Sequence, residues 1–334
     1  MLRIYTREAD HLVPRDIDLA TSPQTSLPVE TSPWIDLFNP SSEEDRFVET
    51  LVGISIPTRE EMQEIEVSSR LYNENGAEFM TFTALINLDT DTPATSPITL
   101  ILKDTTLITV RYAEPRPFLT FAMRGQRPGG VPCATGEQVM IGLIEALIDR
   151  IADALERVGF KIDSISRDVF HHDDKNGRTS KSRDFQRAIV EIGREGDLLS
   201  LIRESLVSLN RVMTYHAAVF ETEAGIRGEG RARVRTNLRD IAALTDHNSY
   251  LTTKINFMLD ATLGLINLEQ NQIIKIFSIA AVCLMPPTLV ASIYGMNFKH
   301  LPELDFEYGY PMALILMAIT AILPVWYFRR RGWL

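Results

Sequence analysis

Residues 276–328 read IFSIAAVCLMPPTLVASI (276–293), YGMN (294–297), FKHLPELDFEYG (298–309) and YPMALILMAITAILPVWYF (310–328). The first and last of these runs hold 18 and 19 residues and no charge. At about 1.5 Å per residue, each makes roughly 27–29 Å of helix, the thickness of the hydrocarbon layer of a bilayer. Ser278, Thr288, Ser292 and Thr320 do not spoil this, because a hydroxyl can bond back to its own helix. The alternative is a pair of buried core helices in a soluble domain. Two such runs end to end near the C-terminus argue against it.

Bulk properties agree with a membrane protein that has a large soluble part. The 334 residues leave room for one or two soluble domains ahead of residue 276. The net charge is −10, and residues 1–275 carry 30 basic and 41 acidic side chains. An acidic soluble part argues against a nucleic-acid footprint and is compatible with divalent cations. Of two cysteines, Cys133 and Cys283, the second lies inside the first apolar run. A disulfide framework is therefore not expected, which suits a reducing cytosol. The start, Met-Leu-Arg-Ile-Tyr-Thr-Arg-Glu, is too polar for a signal peptide. Arg329, Arg330 and Arg331 follow the second run directly, while the connection holds one lysine and three acids. The positive-inside rule then puts the connection outside and both termini in the cytoplasm.

Along the chain, residues 1–130 read as a cytoplasmic α/β domain. Strand-like runs are Leu2–Thr6, Trp34–Phe38, Phe79–Asn87 and Ile98–Val110, the last split by a turn at Lys103-Asp104-Thr105. Helix starts follow Asn39-Pro40 and Pro57, over Ser41–Thr50 and Thr58–Ile65. Segments 20–33 and 89–97 read as loops. Residues 131–275 form a stalk of long helices. Ile141, Ile144, Ile148, Ile151 and Leu155 mark one, over Glu137–Phe170. Leu199, Ile202, Leu206, Leu209 and Met213 mark a second, over about Ser182–Glu223. A third runs without a breaker from Arg231 towards Pro286. Its Asn248, Leu251, Ile255, Met258, Thr262 and Leu265 step as a coiled-coil-like seam. An unbroken helix from Arg231 to Tyr294 would span about 96 Å. The remaining boundaries are a first membrane helix at 276–294, an outer loop at 295–309, a second membrane helix at 310–328 and a basic tail at 329–334.

Tyr-Gly-Met-Asn-Phe at 294–298, Leu301-Pro302-Glu303-Leu304, Gly309-Tyr310-Pro311, Met285-Pro286-x-Thr288 and the ending from Tyr327 to Leu334 resemble the CorA family of magnesium transporters. The detailed likeness covers about the last 65 residues. It implies a homo-pentamer in a bacterial-type inner membrane, importing magnesium, with cobalt and nickel as further cargo. Magnesium would be both substrate and regulatory ligand, with no cofactor and no enzymatic activity. It also implies a regulatory acidic position at Asp260 and pore positions at Asn271, Ile274, Phe277, Met285, Thr288 and Asn297.

The residues themselves support a pathway. One chain with two spans cannot wrap a polar conduit, so transport requires an oligomer whose first spans line a common axis. Counting back from Asn297 by threes and fours gives Ser292, Thr288, Met285 or Leu284, Ala281, Phe277, Ile274 and Asn271. That face is polar, then apolar, then polar, as in a pore with a constriction that closes by dewetting. In Gly295-Met296-Asn297, a ring of Asn297 amides would accept hydrogen bonds from the water shell that magnesium gives up reluctantly. Gly295 would let the backbone turn so that the amide faces the axis. Glu303, Asp305 and Glu307 would gather cations at the outer mouth. Lys299 stands where the family carries an acid, and His300 beside it is a softer ligand. His171-His172-Asp173-Asp174 reads as a solvated turn rather than a metal cluster. The arginines at 227, 231, 233, 235 and 239 interleave with acids and read as a charged helix face.

No phosphate-binding Gly-x-x-x-x-Gly-Lys-Ser/Thr motif is present, which argues against ATP-driven pumping by this chain. The membrane potential suffices, at roughly 4.6 kcal/mol per 100 mV for a divalent ion. Two rivals remain: a zinc-preferring relative, against which Met296 argues, and a membrane-anchored scaffold with no pathway.

Overall fold

A computed structural model describes residues 1–17, 19, 32–170, 181–222, 228–296 and 307–333. The chain divides into two units, Met1–Lys175 with Arg187–Met258, and Asn176–Gln186 with Leu259–Leu334.

The first unit is built on a seven-stranded sheet of order β2-β1-β3-β7-β6-β5-β4. Its strands are β1 (Leu2–Glu8), β2 (His11–Ile17), β3 (Trp34–Phe38), β4 (Leu71–Glu74), β5 (Ala77–Ile86), β6 (Ala94–Lys103) and β7 (Thr106–Arg111). All neighbours are antiparallel except β3 and β7, which pair parallel from Trp34↔Leu107 to Phe38↔Arg111. Both are buried along almost their whole length, as a parallel pair at a sheet centre requires. Tyr5 stacks on Trp34 at 4.1 Å, and the Trp34 indole N–H donates to Thr109 Oγ1 at 3.0 Å.

The sequence reading missed β2 and β4. Both are edge strands, and β2 contains Pro14, which an edge tolerates because no second neighbour needs its N–H. The Asn75-Gly76 turn between β4 and β5 has both residues at positive φ (52° and 75°), the hairpin signature that would have revealed β4. Nor is segment 89–97 all loop, since β6 begins at Ala94. Pro97 pairs with Thr83 but lies beyond the last β7 partner, Ile98↔Arg111, so it has a neighbour on one side only.

Helix α1 (Ser42–Val52) starts at a reciprocal capping box of Ser41 and Glu44. Thr58 and Glu61 cap α2 (Arg59–Met62) in the same way, but α2 is only one turn long and α3 (Val67–Arg70) follows. Helix α4 (Arg116–Gly125) was not expected; its Phe118 and Phe121 pack on Trp34. Helices α5 (Gly136–Phe170), α6 (Lys181–Thr222) and α7 (Gly228–Tyr294) begin and end within three residues of the predicted bounds. The expected stripes on α5 and α6 are all buried. Gly136 is where α5 meets the β6–β7 turn. A Cβ there would sit 2.2 Å from the Leu107 backbone nitrogen, so only glycine fits.

Helix α6 is fixed to the sheet. The Thr83 N–H donates to Ser208 Oγ at 3.0 Å, and His216 Nδ1 lies 2.9 Å from Glu78 Oε2. The seam on α7 is buried from Asn248 through Thr262. In the first unit Leu251 approaches Gly159 of α5 and Ile255 approaches Gly196 of α6, so this seam packs within the chain. Arg233 forks onto Glu145 at 2.9 and 2.7 Å, and Lys254 pairs with Asp163.

In the second unit, α7 continues to Tyr294 and α8 spans Gly309–Arg330. Both are long and apolar enough to cross a membrane.

Candidate functional site

Of the residues expected along the pathway, Asn271, Ile274, Phe277, Ala281, Met285, Thr288 and Ser292 lie on α7, and all seven are exposed. Phe277 is 71% and Met285 69% exposed, while only Ile279 and Cys283 of residues 276–294 are buried. Water would not tolerate such a surface on a lone helix; it needs lipid or further copies of the chain. Ala281, Leu284, Met285, Thr288, Leu289 and Ser292 line a shallow groove along it.

The helix continues through Pro286 and Pro287. Neither nitrogen can donate, so the carbonyls four residues back, on Val282 and Cys283, lose their usual partners. The Thr288 hydroxyl donates to the Leu284 carbonyl at 2.7 Å. Its hydrogen is therefore committed to the backbone, and the oxygen faces outward as an acceptor. Between Ile276 and Met296 the chain carries no charged side chain.

Helix α7 ends at Tyr294. The Gly295 N–H still donates to the Ala291 carbonyl at 2.9 Å, and the Met296 N–H reaches Ile293 at 3.3 Å, a tightened last turn. Gly295 does not adopt the left-handed region. Glycine is favoured because a Cβ would lie 3.0 Å from the Ala291 carbonyl oxygen. Met296 is 47% exposed. Asn297, Lys299, His300, Glu303 and Asp305 lie outside the described residues, as does the 171–174 cluster; Glu307 is exposed just before α8.

Asp260 is exposed on α7. Among the described residues of one chain, no three His, Cys, Asp or Glu side chains gather as a metal site.

The model of the family described as "CorA-like Mg2+ transporter protein" matches residues 30–330. The chain belongs to the CorA family. Among its relatives, the magnesium transport protein CorA of Pasteurella multocida is 35% identical over 311 residues, 93% of this chain and 94% of that one. The magnesium transport protein CorA of Escherichia coli is 32% identical over 314 residues, 93% of this chain and 95% of that one. The complete structure of the CorA magnesium transporter from Methanocaldococcus jannaschii superposes with a TM-score of 0.75 at 19% identity, over 100% of this chain and 99% of that one. The CorA fold is thus present from end to end: an α/β domain, long helices and two C-terminal apolar helices. With two helices fit to cross a bilayer, this CorA-family chain is an integral membrane protein. Its relatives are named as transporters, which sets it apart from enzymes.

Proposed function

We propose that five copies of this chain form a channel-like transporter carrying magnesium into the cytoplasm down its electrochemical gradient, with cobalt and nickel as further cargo. One observation carries the reading. The α7 face that leads into Gly295-Met296-Asn297 is exposed throughout, uncharged, and ordered polar, apolar, polar. A scaffold has no need of that order. Arranged about an axis, the Asn297 amides and the outward Thr288 oxygens would accept hydrogen bonds from a hydrated ion. Neutral acceptors hold the water shell without stripping it, and they release it again. Ile274, Phe277 and Met285 would form the apolar constriction, and wetting or drying it would open or close the path.

In this reading the connection lies outside, where Glu303, Asp305 and Glu307 concentrate cations, and both termini lie in the cytoplasm of a bacterial-type inner membrane. Cytoplasmic magnesium, bound at subunit contacts that include Asp260, holds the α7 helices closed; depletion lets carboxylate repulsion spread them. Proteoliposome uptake tests both levels. Wild type should take up magnesium, competed by cobalt more than by zinc, and Asn297→Ala should lose most of that flux while still assembling. Unchanged flux in Asn297→Ala, or none in wild type, would end the pathway reading. Flux and compactness indifferent to chelation would end the gating part alone.

A further inference from the structure

The tail end of α8 is chemically unlike the rest of the second unit. Arg329 and Arg330 close the helix and Arg331 caps it; Lys275 stands on α7 one residue before the apolar run that begins at Ile276. All four side chains are exposed. Among the described residues none of the four forms an ion pair with a carboxylate. The preceding acid on α7 is Glu269, nearly two turns away, and Glu307 lies at the other end of α8.

Aromatic rings occupy the places where carboxylates would be expected. The Arg330 guanidinium lies 5.2 Å from the Trp326 ring centre, and that of Arg331 lies 5.6 Å from Tyr327. The Lys275 ammonium lies 5.8 Å from the Trp333 ring, which stacks on Phe328 at 5.5 Å. The backbone is built for this return. Gly332 sits at φ 71° and donates to the Arg329 carbonyl at 3.2 Å, while the Trp333 N–H donates to Phe328 at 3.0 Å. This Schellman-type stop folds Trp333 back instead of letting the tail run on.

Rings attract cations but do not neutralise them. Four positive charges on one rim still require an anion. The rim fixes where that anion comes from. It begins with the residues that directly follow Phe328 and precede Ile276, the ends of the two apolar runs, so the charges stand at headgroup level. Trp326 and Trp333 are the amphipathic rings that favour the same depth.

We propose that Lys275, Arg329, Arg330 and Arg331, backed by Trp326 and Trp333, form a binding site for the phosphate headgroup of an anionic phospholipid. The inference rests on α7 and α8 crossing the membrane and not on which ion is carried. General attraction of basic flanks sets orientation. A folded-back tail with a ring under each of three cations adds a defined seat.

Tryptophan quenching by brominated lipid tests it on the full-length chain. The protein has three tryptophans, and Trp34 is buried in the sheet domain, so a lipid-dependent signal reports Trp326 and Trp333. In mixed vesicles, phosphatidylglycerol brominated near the headgroup should quench more strongly than phosphatidylcholine brominated at the same place. Salt should weaken the preference. Each cation replaced by glutamine should lower the relative association constant by about fivefold, in R329Q, R330Q, R331Q and K275Q singly and together. The R329K/R330K/R331K variant should keep most of the preference. Single variants decide the matter should the quadruple glutamine variant fail to insert. Equal quenching by the two lipids in wild type, or a preference unchanged by the glutamine variants, would overturn the proposal. So would displacement by millimolar inorganic phosphate, which would mark a site for free anions. Because the readout is independent of flux, its failure leaves the transport reading standing, and the converse holds.

Discussion

Asp36 and Arg111 form a bidentate ion pair at the parallel seam of the sheet. Arg111 Nε donates to Asp36 Oδ1 at 2.9 Å and Nη2 to Oδ2 at 2.8 Å, with both side chains only 4% exposed. Thr109 Oγ1 also donates to Asp36 Oδ1 at 2.7 Å, and the remaining Arg111 nitrogen donates to the Ala113 carbonyl at 3.0 Å. The guanidinium lies over Phe38 at 4.5 Å and Phe118 at 5.3 Å. The pair therefore ties β3, β7 and α4 together. Removing one partner leaves a buried charge unmatched, so Asp36→Ala should cost about 3–5 kcal/mol. Replacing both, as D36L with R111M, should recover much of that loss. Denaturant unfolding of the sheet domain measures both; a loss under about 1 kcal/mol for Asp36→Ala would show that the pair is not held as described.

Two helix glycines should respond in opposite directions. A Cβ on Gly142 of α5 would lie 2.4 Å from Cε2 of Phe121, a ring that is itself buried against Trp34. Gly142→Ala should therefore cost about 1–3 kcal/mol through forced repacking. Gly193 of α6 is exposed with nothing within 4 Å, so Gly193→Ala should gain up to about 1 kcal/mol of helix stability. Melting temperatures of the two variants, compared in one detergent, give the two signs.

Asp89 gives a pH dependence. Hydrogen bonds from Arg150 at 2.6 Å, and then from Arg116 and Arg157, hold its carboxyl at about 2. A carboxyl depressed in the fold stabilises it above the ordinary value near 4, and that contribution disappears as pH falls through 4 towards 2. Asp89→Asn should thus lower the melting temperature at pH 7, with the gap to wild type narrowing by pH 3. At 46% exposure, water screens the cluster, so the gap should be modest. A gap of constant size across that range would assign the effect to packing instead.

Asn297→Asp separates a neutral collar from a charged one. If Asn297 works as an acceptor for a hydrated ion, a carboxylate there should bind magnesium more tightly and release it more slowly. Uptake at saturating magnesium should fall while half-saturation moves to lower concentration. Faster uptake at saturation would contradict the release argument.

Much of the architecture was legible in the chain itself. Span lengths follow from counting uncharged residues against a fixed bilayer thickness. The α5, α6 and α7 stripes follow from the helical repeat, because neighbours three and four apart always share a face. The order of residues along the α7 face needs no more than that. Tertiary structure decided what depends on partners distant in sequence. The parallel union of β3 with β7, and with it the Asp36–Arg111 pair, joins segments that no local propensity connects. Strands β2, interrupted by Pro14, and β4, only four residues long, lie at the two edges of the sheet, and each is fixed by pairing with a single neighbour. The seam on α7 showed only that something would cover it; folding made the cover Gly159 and Gly196 of the same chain. The meeting of Lys275 with Trp333 likewise had to await the fold, since local periodicity says which side chains share a face but not which distant group comes to lie against them.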